Sequence, residues 1–376
     1  MKKIGIDARL YSQTGVGTYL RNFLHYLPKK LSPSVQIFVY ILPQDRGRID
    51  INDNRIHIRE VNAPWHSVRE QTVFYRAIMR DQLDLMHFTY FSYPVLYKRP
   101  FIATVHDVTP LLFKTGKAST LNPLLFEIKH LAFKYVLSQQ IKQARIIITP
   151  TQVVKDQLVD IYGHKSANKI IPIYEGVSID LMNASENIEL KKSLTSPYFL
   201  YVGNFYPHKN VDRLIEAFDK MLKPSNSAGR QVQHDNLPEL LLVGPDNMFA
   251  QKLKQKMRQE NIENIQFDHN AGCEELVYYY KHAQALINPS LSEGFGLPLI
   301  EASYFGCPVI ASDIPVFKEV LGENYVSFDP ENIRDIAEVL SNVPLGVRHQ
   351  SKNSFIDTFS FEKMTTETLK VYQSLI

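Results

Sequence analysis

The stretch from Ser290 to Ala302 constrains the fold of this chain more than any other. It reads Ser-Leu-Ser-Glu-Gly-Phe-Gly-Leu-Pro-Leu-Ile-Glu-Ala, with an apolar run ending at Pro289 before it and a glycine stop, Gly306, after it. This order predicts a buried strand, a glycine loop and a helix. Loop glycines let the backbone approach a ligand closely, and the amides that open a helix favour a phosphate group.

Two carboxylates stand eight residues apart in this unit. Glu293 lies in the loop, and Glu301 lies roughly one turn into a helix that begins near Pro298. Amides that bind phosphate, together with carboxylates that bind sugar hydroxyls, outline a nucleotide-sugar site. The alternative is an ordinary strand, loop and helix that carries two solvated glutamates.

This stretch resembles the Glu-x7-Glu signature of the retaining group 1 glycosyltransferases of GT-B fold. The resemblance implies an α/β chain with two Rossmann-like parallel-sheet domains facing a central cleft. It also implies that Glu293 acts in catalysis and holds the donor-sugar hydroxyls, while Glu301 holds the nucleotide ribose. The donor-binding residues implied here are Glu293, Gly294, Phe295, Gly296, Leu297 and Glu301.

A length of 376 residues is sufficient for two domains, each with its own core. The polar segment 181–196 lacks a strand pattern, so we interpret it as an interdomain linker. The resemblance then assigns 1–180 to an acceptor domain and 197–357 to a nucleotide-sugar donor domain. Residues 358–376 are expected to form a terminal helix that crosses back to the first domain.

The composition favours a reducing compartment. Two cysteines, Cys273 and Cys307, provide no disulfide framework. Asp7 and Arg9 interrupt the apolar start of the chain, so it does not read as a signal peptide, and no run is long enough to cross a bilayer. We therefore expect a cytoplasmic protein, with peripheral binding to the inner face of the cell membrane as an open question.

Charge is unevenly distributed along the chain. Residues 1–185 contain 24 Lys and Arg against 14 Asp and Glu, whereas the remaining residues contain 18 against 25. The basic half could meet an anionic surface or substrate, or the charge could simply drift between domains. Residues 111–144 combine apolar residues at helical spacing with basic ones, which fits core packing or contact with anionic lipid. We expect no nucleic-acid partner.

A second glycine loop, Gly15-Val16-Gly17, opens a helix near the start of the chain. It departs from the dinucleotide-binding fingerprint, because Leu20 stands where the third glycine would be. The loop is either a tight strand–helix turn or part of a ligand site. In the resembled family a loop at this place closes over the donor phosphate, so Gly15, Val16 and Gly17 are assigned to donor binding.

His106 ends a predicted strand that begins at Phe101. Ligands of open parallel sheets bind beyond the carboxyl ends of the strands, so this histidine is a site candidate, although it could instead satisfy local loop carbonyls. By resemblance, His106-Asp107 faces the donor sugar and the acceptor, and His106 is assigned a catalytic role. The family usually has Asn before Gly176-Val177, where this chain has Glu175; that position receives no role.

The loop from Asn204 to Asn210 follows another buried strand and precedes a helix. Lys209 in this loop could neutralise a diphosphate, or it could be an ordinary solvated lysine. Many family members carry an Arg and a second basic residue here, where this chain has Asn204 and His208. One cation is therefore missing or replaced by a titratable group. Asn204, His208 and Lys209 complete the assigned donor-binding residues.

The chain contains no Asp-x-Asp sequence and no His-based ligand spacing, so we expect metal-independent transfer with no cofactor. Amides and Lys209 would stabilise the leaving diphosphate. By resemblance, the reaction retains the anomeric configuration and uses a nucleotide sugar as co-substrate.

The segments Gly5–Arg9, Thr14–Asn22 and Tyr206–Asn210 look most like those of mannosyltransferases. The leading hypothesis is therefore a transferase that moves mannose from GDP-mannose to a glycan or lipid-linked acceptor in cell-surface polysaccharide synthesis. The alternatives are a UDP-sugar-dependent transferase, a nucleotide-sugar isomerase or hydrolase of the same fold, and a catalytically silent binding protein. The presence of His106, Lys209, Glu293 and Glu301 argues against the last.

Overall fold

The computed structural model describes residues 1–113, 123–192, 194, 196–223, 237–342 and 357–376. The chain divides into two units. The first comprises Met1–Gly176 and Thr358–Ile376, and the second comprises Val177–Asp357. Each unit contains one sheet whose described strand pairings are all parallel, so the predicted α/β class is confirmed.

The first unit is built around a sheet with seven described strands in the order β3-β2-β1-β4-β5-β6-β7. The strands are β1 (Lys2–Asp7), β2 (Val35–Ile41), β3 (Ile56–Glu60), β4 (Leu85–Phe88), β5 (Phe101–Thr104), β6 (Ile147–Thr149) and β7 (Ile170–Pro172). The helices before the second unit are α1 (Val16–Lys30), α2 (Tyr75–Arg80), α3 (Thr109–Leu112), α4 (Pro123–Gln143) and α5 (Gln152–Tyr162), with a π-helical turn over Glu70–Phe74.

Continuous apolar runs form the strands of this sheet, because parallel strands are covered by helices on both faces. The sequence of β2 is Val-Gln-Ile-Phe-Val-Tyr-Ile, and every residue of β4 and β5 is buried. Phe74, Ile78 and Phe88 belong to the core that packs on one side.

The second unit has six described strands in the order β10-β9-β8-β11-β12-β13. They are β8 (Tyr198–Val202), β9 (Glu239–Val243), β10 (Ile265–Asp268), β11 (Leu286–Asn288), β12 (Val309–Ser312) and β13 (Val326–Phe328). Its described helices are α6 (Ile179–Asn183), α7 (Val211–Leu222), α8 (Met248–Glu260), α9 (Cys273–His282), α10 (Leu297–Tyr304), α11 (Pro315–Leu321) and α12 (Ile333–Asn342).

The last helix, α13 (Phe361–Gln373), is part of the first unit and packs against α1. The Tyr372 hydroxyl lies 2.6 Å from Nδ1 of His87 in the buried interior. A Cβ on Gly176 would lie 2.6 Å from the backbone of both Ser360 and Phe361, so glycine permits this close approach of the chain to the start of α13.

Residues 181–196, which we interpreted as a linker, lie within the second unit. They take part in α6 and in a 3₁₀ turn over Ile188–Lys192. The Asn187 side chain donates to Glu275 Oε1 on α9 at 2.8 Å. The segment has too few apolar residues to show a periodicity, and it is held by polar contacts that sequence pattern does not reveal.

Both sheets contain a point where the strand order reverses, and ligands in such sheets bind beyond the strand ends at that point. In the first unit it lies between β1 and β4. In the second it lies between β8 and β11. Lys209 and Glu293 lie in the loops that leave β8 and β11, so sheet topology brings these two candidates to the same edge.

Candidate active site

Lys209 and Glu293 form an ion pair at the strand-order reversal of the second unit. Lys209 Nζ lies 2.7 Å from Glu293 Oε1. The backbone also joins the two loops, since the Leu291 amide donates to the His208 carbonyl at 2.8 Å. The loops after β8 and β11 therefore form one structure in which a cation and a carboxylate are in direct contact.

Glu293 is held as a carboxylate. Burial alone would raise its pKa, but the charge of Lys209 and hydrogen bonds from Lys209 and Ser290 lower it below the ordinary value. The Ser290 hydroxyl donates to Glu293 Oε1 at 2.8 Å, so Lys209 and Ser290 meet the same oxygen. This arrangement fixes one carboxylate oxygen within the loop.

The glycine loop after Glu293 leads directly into α10. Gly296 adopts a φ of 94° at the N-cap of this helix, a conformation that favours glycine. A Cβ there would also lie 3.0 Å from Leu299 and 3.2 Å from Phe317. Gly294 and Phe295 are buried beside it, and Leu297 is the first residue of the helix. The amides that open α10 are suited to an anion.

Glu301 lies inside α10 and is 8% exposed. The Tyr280 hydroxyl donates to Glu301 Oε2 at 2.8 Å. Burial raises the pKa of Glu301 to about 7, and the hydrogen bond from Tyr280 only partly offsets this. Glu301 can therefore change its protonation state near neutral pH, and once ionised it can accept hydrogen bonds from hydroxyl groups.

His208 is a neutral side chain at physiological pH in this structure. Burial and, to a smaller extent, the neighbouring charge of Lys209 together lower its pKa to about 4. Lys209 is therefore the cation of the loop from Asn204 to Asn210, and the titratable substitute that the sequence suggested carries no charge here. Asn204 is half-buried, and its carbonyl accepts a hydrogen bond from the Tyr201 hydroxyl.

His106 lies two residues beyond β5 in the first unit, and both of its ring nitrogens face oxygen atoms. Nδ1 lies 3.0 Å from Glu175 Oε1, and Nε2 lies 3.0 Å from the Thr89 carbonyl oxygen. The ring of buried Tyr19 packs edge-on at 4.9 Å between centroids. A carbonyl oxygen can only accept a hydrogen bond, so Nε2 of His106 is the donor to Thr89. Glu175 contacts the opposite ring nitrogen, so the orientation of the ring is fixed from both sides.

The Gly15-Val16-Gly17 loop has local structural reasons for both glycines. Gly15 has a φ of 65° at the start of α1, and a Cβ on Gly17 would lie 2.6 Å from the Tyr11 carbonyl oxygen. Arg21 Nη1 also contacts that oxygen, at 2.9 Å. These contacts explain the tight turn, while the donor-binding role of the loop stays a prediction.

Across the described ranges, no group of three or more His, Cys, Asp or Glu side chains is arranged to hold a metal ion.

The structure brings together the second-unit candidates His208, Lys209, Glu293 and the α10 loop, and it places Glu301 in a separate buried contact. Three residues were missed as contributors: Glu175, Tyr280 and Ser290. The departure from the family pattern at Glu175 was a visible signal. Tyr280 lies far from Glu301 in sequence and could be found only from the packing.

Two families match the chain. The family described as "Glycosyl transferases group 1" matches residues 157–344, which is half of the chain, and "Glycosyltransferase Family 4" matches residues 13–181. The O-antigen chain mannosyltransferase RfbU of Salmonella typhimurium is 30% identical over 263 residues, or 69% of this chain and 66% of that protein. The O-antigen chain mannosyltransferase B of Escherichia coli is 24% identical over 64% of this chain and 63% of that protein.

The chain thus spans slightly less than two thirds of each of these relatives. Among solved structures, the sucrose-phosphate synthase of Thermosynechococcus elongatus aligns over 100% of this chain and 99% of its own, with a TM-score of 0.75 and 17% identity. This likeness concerns the fold, and it confirms the predicted GT-B class.

Proposed function

The chain belongs to the group 1 glycosyltransferases, and on that premise we propose that it transfers a hexose from a nucleotide sugar to a glycan or lipid-linked acceptor in surface polysaccharide synthesis. The observation that carries the proposal is the 2.7 Å contact between Lys209 and Glu293 beside the amides that open α10. A cation and helix amides suit a diphosphate, and an adjacent carboxylate suits sugar hydroxyls.

GDP-mannose is the proposed donor. The resemblance of the segment Tyr206–Asn210 to mannosyltransferases supports it, as do two relatives that are named as mannosyltransferases. A UDP-sugar is the alternative donor.

The proposed chemistry begins with an exchange of partners at Lys209. The donor diphosphate forms an ion pair with the Lys209 ammonium group in place of Glu293. Glu293 is then free to accept hydrogen bonds from the donor sugar. Lys209 and the α10 amides then stabilise the negative charge that grows on the diphosphate as the glycosidic bond breaks. From the family resemblance we further propose that Glu301 holds the ribose and that His106 acts in catalysis. We propose that the transfer retains configuration and needs no metal ion, since these groups can supply the stabilisation.

An isomerase or hydrolase that acts on the nucleotide sugar alone is the second candidate. A hydrolase with an acid and a base would need its two carboxyl groups on either side of the glycosidic bond. Here Glu293 contacts Lys209, whereas Glu301 is buried against Tyr280, so the two have different environments. Turnover of the donor at an equal rate with and without an acceptor would favour this candidate.

Calorimetric binding of GDP-mannose, UDP-glucose and UDP-N-acetylglucosamine tests the proposal. We expect one donor to bind with a micromolar Kd and the Glu301→Ala variant to lose that binding. Glu338→Ala is the matched control, since Glu338 is exposed on α12, and it should bind like the wild type. Absence of binding by every nucleotide sugar would contradict the proposal.

Peripheral membrane contact is a further part of the proposal. Helix α4 exposes an apolar stripe formed by Ile128, Leu131 and Tyr135, which are 55%, 64% and 58% exposed. Lys129 and Lys134 are exposed on the same helix. An apolar stripe with lysines beside it suits the interface of an anionic bilayer. None of the described helices is both long and apolar enough to cross a membrane.

A further inference from the structure

Three aromatic rings lie together at the carboxyl edge of the first-unit sheet, and the proposed function does not use them. Trp65 and His66 follow β3, and Tyr90 follows β4. The Trp65 ring packs edge-on against His66 at 5.0 Å and against Tyr90 at 5.9 Å between centroids. Trp65 is 38% exposed, His66 is exposed and Tyr90 is half-buried. We call these three side chains the aromatic platform.

A buried apolar layer supports the platform. The Phe91 ring lies 3.8 Å from that of Tyr90 and stacks on His66 at 6.1 Å between centroids. Phe133 of α4 packs edge-on against Phe91 at 5.2 Å. The rings of His66 and Tyr90 therefore pack against Phe91, which in turn packs against Phe133.

A buried ion cluster holds the backbone on both sides of Trp65. Arg9 donates to the Ala63 carbonyl at 2.8 Å and to Glu70 Oε1 at 2.7 Å, so it ties together the residues before and after the tryptophan. The Ser92 hydroxyl donates to the same Glu70 carboxylate, which joins the segment that follows β4. Burying such charges is costly unless every partner is present, so this cluster specifies one geometry of the loop.

The platform is continuous with the surroundings of His106. Tyr90 directly follows Thr89, whose carbonyl oxygen lies 3.0 Å from His106 Nε2. The Thr89 hydroxyl donates to the carbonyl oxygen of Asp7 at the end of β1. The rings therefore begin one residue away from the contact that orients the candidate catalytic histidine, beside the point where the strand order reverses.

We propose that the aromatic platform binds a pyranose ring of the acceptor glycan, an inference that rests on the proposed glycosyltransferase function. One face of a pyranose presents C–H groups with partial positive charge, which are attracted to the negative face of an aromatic ring. Nε2 of His66 lies 3.4 Å from the Phe91 carbonyl oxygen, and Nδ1 of the same exposed imidazole provides a hydrogen-bonding group for a sugar hydroxyl. A purely apolar partner would use the rings but not this polar edge.

Trp65 is the single tryptophan of the chain, so its fluorescence reports on the platform alone. The probes are methyl α-mannopyranoside, methyl β-galactopyranoside and methyl β-glucopyranoside, each titrated into the full chain. Mannitol is the control, because it carries the hydroxyls of a hexose without the ring. We expect a saturable change in emission with at least one glycoside at millimolar concentration and none with mannitol. An equal response to mannitol, or no response to any glycoside, overturns the proposal.

Substitutions in the aromatic platform provide a second test of glycoside binding. Tyr90→Ala should raise the glycoside Kd about tenfold, as expected for loss of one stacked ring. His66→Ala, at an exposed position, should also weaken binding and serves if Tyr90→Ala fails to fold. Val326→Ala removes an exposed apolar side chain of β13 in the second unit and should leave the Kd unchanged. Equal Kd values in the wild type and in both platform variants overturn the proposal.

A membrane is the competing occupant, and vesicles of mixed neutral and anionic lipid distinguish it from the sugar. If such vesicles shift Trp65 emission and Tyr90→Ala abolishes the shift while glycosides have no effect, the platform binds lipid and the sugar proposal is wrong.

Calorimetry with GDP-mannose separates this proposal from the proposed function. Donor binding that persists in Tyr90→Ala while glycoside binding is lost supports both, whereas glycoside binding without any nucleotide-sugar binding supports the platform alone.

Discussion

The pKa of Glu301 depends on two opposing effects, burial of the carboxyl group within α10 and one hydrogen bond that it accepts. Removing a carboxylate from water opposes ionisation strongly, whereas one hydroxyl donor from Tyr280 returns only part of that free energy. Burial therefore raises the pKa of Glu301 to about 7. At Glu293 the balance is reversed, because a full positive charge on Lys209 is in contact.

The first prediction concerns pH. Between about pH 4.5 and 7, Glu301 keeps its proton in the folded protein and loses it in the unfolded chain. The contribution of Glu301 to the free energy of unfolding therefore falls as the pH rises through that window. An ionised carboxylate accepts stronger hydrogen bonds from ribose hydroxyls than a protonated carboxyl group does. Donor affinity measured by calorimetry should therefore rise with pH up to about 7 and then level off. Glu301→Gln should bind more weakly and lose most of this slope; an unchanged slope would assign it to another group.

The second prediction concerns Glu175, whose carboxylate contacts His106 Nδ1 at 3.0 Å. Glu175→Ala removes the group that fixes the ring, so kcat for transfer should fall by about 10- to 100-fold, which corresponds to the loss of a hydrogen bond to a charged group. The KM for the donor should change little, because Lys209 and Glu293 are untouched. Glu175→Gln keeps an oxygen acceptor and should recover part of kcat. A loss confined to donor KM would contradict this role.

At the scale of elements, two loop arrangements position the candidate side chains. The loops after β8 and β11 are joined by the Leu291 amide and by the Lys209–Glu293 pair. In the first unit, Arg9 connects the end of β1 to the π-helical turn that begins at Glu70. In both cases parallel strands of one sheet, β8 beside β11 and β1 separated from β3 by β2, bring oppositely charged residues to the same sheet edge.

The third prediction tests the Arg9 cluster. Arg9 is 2% exposed, and Asp7 and Glu70 are its buried partners. Arg9→Leu leaves two carboxylates without their cation and should destabilise the first unit by about 3–5 kcal/mol, measured by urea unfolding. Arg59→Leu is the control, because the Arg59 pair with Asp81 is partly exposed and should contribute at most about 1 kcal/mol. Equal losses in the two variants would show that the cluster has no special role.

At the scale of the whole molecule, charge is separated along the chain, with the basic excess in residues 1–185. The exposed lysines of α4 belong to this half and lie beside its exposed apolar stripe. The lysines of such a surface are attracted to an anionic bilayer, and the apolar side chains can insert into its interface. Salt screens the electrostatic attraction of the lysines.

The fourth prediction is that the protein co-sediments with anionic vesicles at low salt and less at high salt. Lysines near an anionic surface contribute about 1 kcal/mol each, so reversing Lys129 and Lys134 to Glu should weaken binding by at least about tenfold. The matched control reverses Lys252 and Arg258, two exposed cations of α8. If the two double variants bind alike, or if neutral vesicles bind equally well, α4 is not the contact.

The sequence alone was sufficient for the α/β class, the family and the location of Glu293 and Lys209 in glycine-containing loops after strands. Apolar runs, glycine positions and the Glu-x7-Glu spacing are local properties, so they can be recognised in the sequence without knowledge of tertiary contacts. The contact between Lys209 and Glu293, 84 residues apart, needed the order of the strands, because only the pairing of β8 with β11 brings their loops together.

Other properties were decided by the tertiary structure alone. Burial sets the protonation state of His208 and Glu301, and burial is a property of the packed chain that composition cannot supply. The partner of His106 is Glu175, two strands further along the sheet, and its charge type departs from the family pattern. The segment taken for a linker is held in the second unit by side-chain hydrogen bonds to α9. Each of these depends on contacts between residues far apart in sequence, which local pattern does not encode.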